Sequence, residues 1–469
     1  MAANQGQPAG VGLQDMPMEV KQLIAVEIDN DKDLVSFRSA GSVTKNIIDG
    51  DYGTFWRAIL HKKYDFKDVG MSKKDMARLY QLRSQLFRLG TYIDFFYGGT
   101  ALEAAAVKML QELILESFQG ETEANEYGVH HSKNQARLRE FLSRSRFIND
   151  NRRAPLPVGS GPVLVDEKLA ATKIVSFQLI FDIKGLTQKV FAFQETQFAV
   201  YRHHTLLNIF NTNHKKANLQ WFLHCMNFWR HQMKSPYMDT LYGVIEALDE
   251  ENRPSAWREP ITQDVKPLSK NWRGTFAYLN YQDYHALGGG DLSGDYDDRG
   301  VDSARLQALE LDFAEKSILP SGQKLDWPIE FENLVQSIEN DTCAKRGLRT
   351  SGPYEPQKNC NSTHFAGRGE EPEGKYKVLG WLNSLPPQGG IPGWQRFTMM
   401  QHTSTNYENF QQDKRLWAYE GVVVPGGRMI LGRAWKMDKS GPFILWAVDN
   451  DVFDEEIDSS DEVDSSDEE

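Results

Sequence analysis

The chain has 469 residues, 40% of them hydrophobic and 11% aromatic, so two or three structural units are expected rather than one core. Its net charge of −12 sits mostly at one end: residues 451–469 hold 11 acidic and no basic residues, leaving the remainder at −1, which argues against a nucleic-acid-binding body. Cys225, Cys343 and Cys360 are too few and scattered for a disulfide framework or a zinc site, and no run of about eighteen apolar residues predicts a membrane helix.

In chain order, residues 1–12 read as a flexible, Gly- and Gln-rich start without a signal-peptide plan, and an intracellular location, cytoplasm or nucleus, is expected. The stretch from Leu13 to Tyr64 then predicts a set of short helices. Asp15 is the expected cap of the first, with Pro17 in its opening turn, and Val20, Leu23 and Ile24 form an apolar face bordered by Glu27. Asp33 is the expected second cap, before Leu34, Phe37 and Arg38, and a third run holds Ile47, Ile48, Phe55 and Trp56. About fifty residues cannot bury all of this alone, so the segment needs cover from the rest of the chain or from a partner.

The order Met16-Pro17, Glu19-Val20, Leu23-Ile24, Asp33-Leu34, Phe37-Arg38 and Phe55-Trp56 resembles an F-box, specifically that of large fungal families. Members of those families bind the adaptor Skp1 and, through it, a cullin-RING ubiquitin ligase. The resemblance implies a Skp1-contacting set of Leu13, Met16, Pro17, Val20, Leu23, Ile24, Leu34, Phe37, Arg38, Ile47, Phe55 and Trp56. There are two departures: Met16 replaces a usual Leu, and Gly41 stands where Ser or Cys is common. A glycine inside a helix costs roughly 1 kcal/mol relative to Ala.

Met76, Leu79, Tyr80, Leu82 and Leu86 predict a helix broken at Gly90, and Thr100 caps a further helix that Gly120 ends. Pro and Gly punctuate residues 151–161 as a loop or boundary, and residues 165–248 read as largely helical. His203, His204, His214, His224 and His231 raise a metal question, but none of the pairs has the i, i+4 offset of a helical two-His site, so no metal or cofactor is expected. Trp221, Phe222, Cys225, Phe228 and Trp229 read as a core face.

From Asn271 to Leu279 apolar and polar residues alternate, which marks a strand with Trp272, Gly274, Phe276 and Tyr278 on one face. Asp295, Asp297 and Gly300 mimic the start of a calcium loop, which fails at Arg299 and Leu306, leaving a surface loop. Residues 394–400 predict a strand; two more flank Pro425-Gly426-Gly427, and Gly441-Pro442 is read as a turn into a third, giving an antiparallel meander. Trp272-Gly274-Phe276, Pro386-Pro387, Pro392 to Arg396 and Pro425 to Gly427 also resemble the C-terminal region of the same F-box families. Arg428 and Arg433 are weak candidates for a substrate contact, and the aromatic strand faces around Trp272, Trp381, Trp394, Trp417, Trp435 and Trp446 for a pocket lining. Ser459, Ser460, Ser465 and Ser466 precede acidic residues in a tail that reads as disordered, a context for acid-directed phosphorylation.

The expected fold is α+β: an F-box over 13–64, a helical middle region over 65–260, an antiparallel β-rich domain, barrel or sandwich-like, over 261–450, and an acidic tail over 451–469. The resemblance implies a non-catalytic substrate-recognition adaptor of an SCF-type ubiquitin ligase, with Skp1 and an unidentified protein substrate as partners. No nucleophile elbow, P-loop, dinucleotide fingerprint or HExxH pair points to an enzyme. The alternatives are a non-degradative scaffold, an F-box-tethered β domain binding a small molecule or peptide, and an enzyme with a structural helical N-terminus.

Overall fold

A computed structural model describes residues 12–50, 53–67, 70–95, 99–120, 131–148, 165–184, 186, 193–201, 209–210, 216–235, 241–263, 268–288, 296, 298, 300–301, 305–313, 362–372, 374–403, 417–436 and 439–453. The chain forms two compact units, and their division runs through the helical region expected over 65–260. One unit is Met1–Asp94, Thr100–Phe147 and Arg258–Pro260; the other is Phe95–Gly99, Ile148–Trp257 and Ile261–Glu469. Among the described residues no helix is long and apolar enough to cross a membrane.

The first unit is helical: α1 (Met18–Val26), α2 (Asp31–Ser39), α3 (Ser42–Asp49), α4 (Thr54–Lys63), α5 (Lys73–Leu89), α6 (Ala101–Glu116) and α7 (Lys133–Arg144). The caps differ from those expected. Asp15 lies in a 3-10 turn and accepts from the Gly12 N–H at 3.1 Å, while Pro17 itself precedes α1. Asn30 caps α2, its side chain accepting from the Lys32 N–H at 2.9 Å; Asp33 falls inside the first turn, where its charge still favours the helix N-terminus. Gly41 is outside any helix: it precedes α3 with an extended φ of 173°, and an added Cβ would meet nothing within 4 Å. The helix-interior cost therefore does not apply to it. Thr100 and Glu103 form the capping box of α6.

Ile47, Ile48, Phe55, Ile59 and Leu60 fill the core beside Met76, Leu113, Ile114 and Leu138. Asp65, just beyond α4, is buried and ties three segments together. Its carboxylate accepts from the backbone N–H of Phe118 at 2.9 Å and of Lys133 at 3.0 Å and from the Ser132 hydroxyl, while its own N–H donates to Asn134 at 3.0 Å. The Lys133 N–H is one of the orphan donors of the first turn of α7, and the Phe118 N–H lies just beyond the end of α6, so one carboxylate joins the two helix ends.

The second unit contains α8 (Glu167–Phe177), α9 (Phe193–Tyr201), α10 (Leu219–Lys234), α11 (Leu241–Ala247), α12 (Tyr281–Gly288) and eight strands. The strands are β1 (Asn271–Phe276), β2 (Gln307–Asp312), β3 (Ser362–Glu371), β4 (Gly374–Ser384), β5 (Gln395–His402), β6 (Trp417–Val423), β7 (Met429–Lys436) and β8 (Lys439–Ala447). Each pairs antiparallel with its sequence neighbour, and β1 pairs with β8, Trp272 opposite Ala447 and Phe276 opposite Phe443, closing a barrel. Closure removes both sheet edges.

Strand alternation divides the side chains between lumen and outer surface. Trp272, Leu309, Phe365, Val378, Phe397, Tyr419 and Phe443 share the interior cluster. Glycine makes room for these rings: a Cβ at Gly369 would run into the Tyr376 ring, and one at Gly380 into Phe365. Trp272 and Trp417 belong to that cluster, whereas Trp446 donates its N–H to the Asn252 carbonyl at 2.9 Å and Trp381 lies tilted against His364 with ring centres 6.5 Å apart, so the tryptophans do not line one surface. Gly441-Pro442 is not a turn. Both residues lie within β8, opposite Ala434 and Arg433, and the Pro442 carbonyl accepts from the Ala277 N–H at 2.9 Å.

α10 packs on β7, with Trp221, Phe222, Cys225, Phe228 and Trp229 fully buried as the sequence predicts for a core face. Burial pushes the Cys225 thiol far up, so it is an inert core group. Asp298, buried, accepts from Gln232 at 2.7 Å, Tyr201 at 2.8 Å and Gln197 at 2.9 Å, which joins α9 and α10 to the segment before β2.

Replacing Asp65 by Ala leaves the partly buried backbone N–H groups of Phe118 and Lys133 without their acceptor, and should lower the stability of the helical unit by about 1–3 kcal/mol. Urea unfolding followed by circular dichroism would measure the loss; an unchanged midpoint would contradict the role given to Asp65.

Candidate functional site

Helix α1 is amphipathic in an unusual sense: it sends Gln22, Ala25 and Val26 into the core and turns its larger apolar side chains outward. Val20 is 40% exposed, Leu23 65% and Ile24 41%, and all three lie on one helical face. The inward Gln22 is satisfied: its amide donates to the Ile47 carbonyl at 3.4 Å and its oxygen accepts from the Thr54 hydroxyl at 2.8 Å. Pro17 is exposed, Leu13, Met16 and Phe37 are half-buried, and Val35 on α2, which the sequence did not single out, is 62% exposed.

The other residues of the implied contact set lie elsewhere. Leu34, Ile47, Phe55 and Trp56 are buried in the core of the unit, so they shape the surface without presenting themselves on it. Arg38 is engaged by Asp49 through both nitrogens of its fork, Nε at 3.0 Å and Nη2 at 2.6 Å. Behind α2, a cleft of about 700 Å³ is lined by Asp31, Leu34, Trp56, Lys63 and Tyr80. Asp31 accepts from Lys63 at 2.9 Å, from the Tyr80 hydroxyl at 2.5 Å and from Ser84. Burial opposes its charge, but the bonds from Ser84, Tyr80 and Lys63 outweigh that and hold the carboxyl below its ordinary range.

The barrel interior is apolar towards one end and polar towards the other. At the ends of β1, β3, β5 and β7 and the starts of β2, β4, β6 and β8, the Tyr376 hydroxyl donates to the Gln307 side-chain oxygen at 2.8 Å. The Tyr419 hydroxyl donates to Gln401 at 2.6 Å, and the Gln401 amide donates to Glu371 at 3.1 Å. Burial pushes both tyrosine hydroxyls well above their ordinary range. It also raises the Glu371 carboxyl, against the opposing pull of the Gln401 bond and of the Lys436 and Arg305 charges. The mouth encloses a pocket of about 250 Å³. Phe276 packs on Trp417 with ring centres 4.9 Å apart, Lys436 lies 5.6 Å from the Trp417 ring centre and Lys439 4.6 Å from that of Tyr278.

Arg428 and Arg433 do not converge. Arg428 precedes β7 and donates to Asp449 at 3.0 Å, to the Ala447 carbonyl at 3.0 Å and to Ser255 at 3.1 Å. Arg433 sits on the outer face, 5.3 Å from the Trp221 ring centre and opposite Glu420 in the register. Of the histidines, His224 is buried and His231 stacks on Phe193 at 3.8 Å, while His203, His204 and His214 lie outside the described residues. Also outside them are residues 151–161, Cys343, Cys360, Asp295, Asp297, Arg299, the four tail serines and the tail beyond Phe453. Among the described residues no group of three or more His, Cys, Asp or Glu is placed to hold a metal ion.

Asp31 and Glu371 should give the two units opposite pH responses. A carboxyl lowered on folding contributes stability that is present above its unfolded pKa, about 3.9, and is lost as pH falls through the folded value. A carboxyl raised on folding does the reverse: Glu371 costs stability once it ionises, and that cost disappears as pH falls below its folded pKa. Glu371→Gln, which keeps an oxygen for Gln401, should therefore raise the melting temperature at pH 7 and have little effect near pH 4, whereas Asp31→Asn should lower it at pH 7. Calorimetric scans across that range would check both signs.

Comparisons of the chain with protein-family models, curated proteins and solved structures returned no match.

Proposed function

We propose that this chain is a substrate-recognition adaptor of an SCF-type ubiquitin ligase, in which the helical unit binds Skp1 and the barrel unit engages a target protein. The observation that carries the reading is the outward apolar face of α1, Val20, Leu23 and Ile24, at the positions where the sequence resembles an F-box. Large aliphatic side chains kept in water beside an inward glutamine are costly for an isolated helical unit, and a protein partner would remove that cost. Leu13, Met16, Pro17 and Phe37 would extend the contact, while Leu34, Ile47, Phe55 and Trp56 support it from below. The work of such an adaptor is proximity. Skp1 links it to a cullin-RING scaffold, and holding the target there raises its effective concentration at a conjugating enzyme carried elsewhere. No bond is made or broken by residues of this chain.

Placing a charge on the exposed face separates binding from folding. Leu23→Asp should weaken capture of purified Skp1 by about thirtyfold or more, roughly 2 kcal/mol, with helix content and melting temperature unchanged. Leu34→Asp, by contrast, buries an unpaired charge in the core and should unfold the helical unit. Skp1 capture that fails with the native chain, or that survives Leu23→Asp undiminished, would remove the reading.

A further inference from the structure

The polar mouth of the barrel holds a group that the fold itself does not explain. Gln307 is 3% exposed and lines the mouth pocket; its side-chain oxygen is used by Tyr376, but its amide nitrogen has no acceptor among the described residues. A buried donor left unpaired is disfavoured by about 1–3 kcal/mol, so a donor held in this position is suited to an acceptor that arrives from outside. The charges around it favour an anion. Arg305, Lys436 and Lys439 line the same pocket, against the single carboxyl, among the described residues, of Glu371. The third feature is apolar: Phe276, Tyr278 and Trp417 form a contiguous aromatic wall, with centre-to-centre spacings of 4.9 Å and 6.1 Å from Phe276 to the other two.

From this juxtaposition we infer that the barrel mouth binds a small carboxylate carrying a compact apolar body, its carboxylate oxygens received by the Gln307 amide, Lys436 and Lys439 and its body laid against Phe276, Tyr278 and Trp417. The volume of about 250 Å³ sets the scale. It is below the usual range for drug-sized ligands and suits a single ring with a short acidic arm. A pair of ammonium groups and an amide donor is a charge-assisted receptor, and the aromatic wall contributes orientation and apolar burial. Glu371 works against the ligand when it is ionised. The same chemistry is offered by a free carboxylic acid and by the C-terminal residue of a peptide. The inference does not depend on Skp1 binding, which involves the other unit.

Isothermal titration of the full-length protein with 3-phenylpropionate tests it, with 3-phenylpropionamide as the uncharged counterpart. Saturable one-to-one binding of the acid, about tenfold or more tighter than the amide, is expected. Gln307→Glu keeps an acceptor for the Tyr376 hydroxyl while deleting the amide donor, and Lys439→Gln removes the charge of an exposed side chain; each should weaken the acid about fivefold or more. Glu371→Gln should tighten it. Titration with Gly-Gly-Phe distinguishes the sources: tighter binding than 3-phenylpropionate assigns the site to chain termini, weaker binding to free acids. Absence of saturable heat with both acids, equal affinity for acid and amide, or wild-type affinity in Gln307→Glu and Lys439→Gln together would overturn the inference. Skp1 capture by Lys439→Gln should be unchanged, so failure here leaves the adaptor reading to stand or fall by its own test.

Discussion

The pairing of β1 with β8 is the constraint on which the second unit depends. Thr275 and Ile444 face one another across that seam although 169 positions separate them in the chain, and without it both strands would be open edges. Closure fixes which side of every strand faces the lumen, and so decides that Phe365, Phe397 and Phe443 pack together inside while Arg433 and Trp446 face out. Because strand direction alternates around the barrel, closure also gathers the end of β3, the start of β2 and the end of β5 at one mouth, which brings Gln307, Glu371 and Gln401 together from widely separated segments. The mouth's chemistry is thus a consequence of topology rather than of any local motif.

The helical unit follows a different logic. Its core takes Ala25 and Val26 from α1 but not Val20, Leu23 or Ile24: Gln22 takes an inward position and is satisfied there by Ile47 and Thr54, and Asp65 organises the junction of α4, α6 and α7 through hydrogen bonds from Phe118 and Lys133. A core that closes over a bonded glutamine while leaving Leu23 in water leaves that face available to a partner, and it is the arrangement an outward-facing handle requires. In the adaptor reading the two units divide the labour, one docking to the ligase and the other meeting the target.

Much of this was legible in the sequence, and the misses have physical causes. The period-2 alternation at Trp272, Gly274 and Phe276 marked β1, and Pro425-Gly426-Gly427 marked the β6–β7 hairpin, because both signals are local. Gly441-Pro442 misled because a proline is normally excluded from a strand interior, yet here it stands opposite Arg433, and Gly441 is needed where the Ala277 carbonyl and the Tyr201 ring approach too closely for a Cβ. The apolar face of α1 was visible as spacing, but spacing cannot say whether a face turns inward or outward; only the inward placement of Gln22 and Ala25 decides it. The same limit grouped Leu34, Ile47, Phe55 and Trp56 with the exposed residues, since resemblance carries residue identity and not burial. The barrel mouth had no sequence signal at all. A lone Gln, Glu or Lys at a strand end is unremarkable until closure sets it beside the others.

Hydrogen–deuterium exchange of the full-length chain, alone and with Skp1, reads the outward face of α1 without altering a residue. If α1 is the Skp1 handle, exchange over residues 13–37 slows on adding Skp1 while that of the strands from Asn271 to Ala447 is unchanged. Exchange in α1 that is indifferent to Skp1, or protection confined to the barrel, would contradict that role.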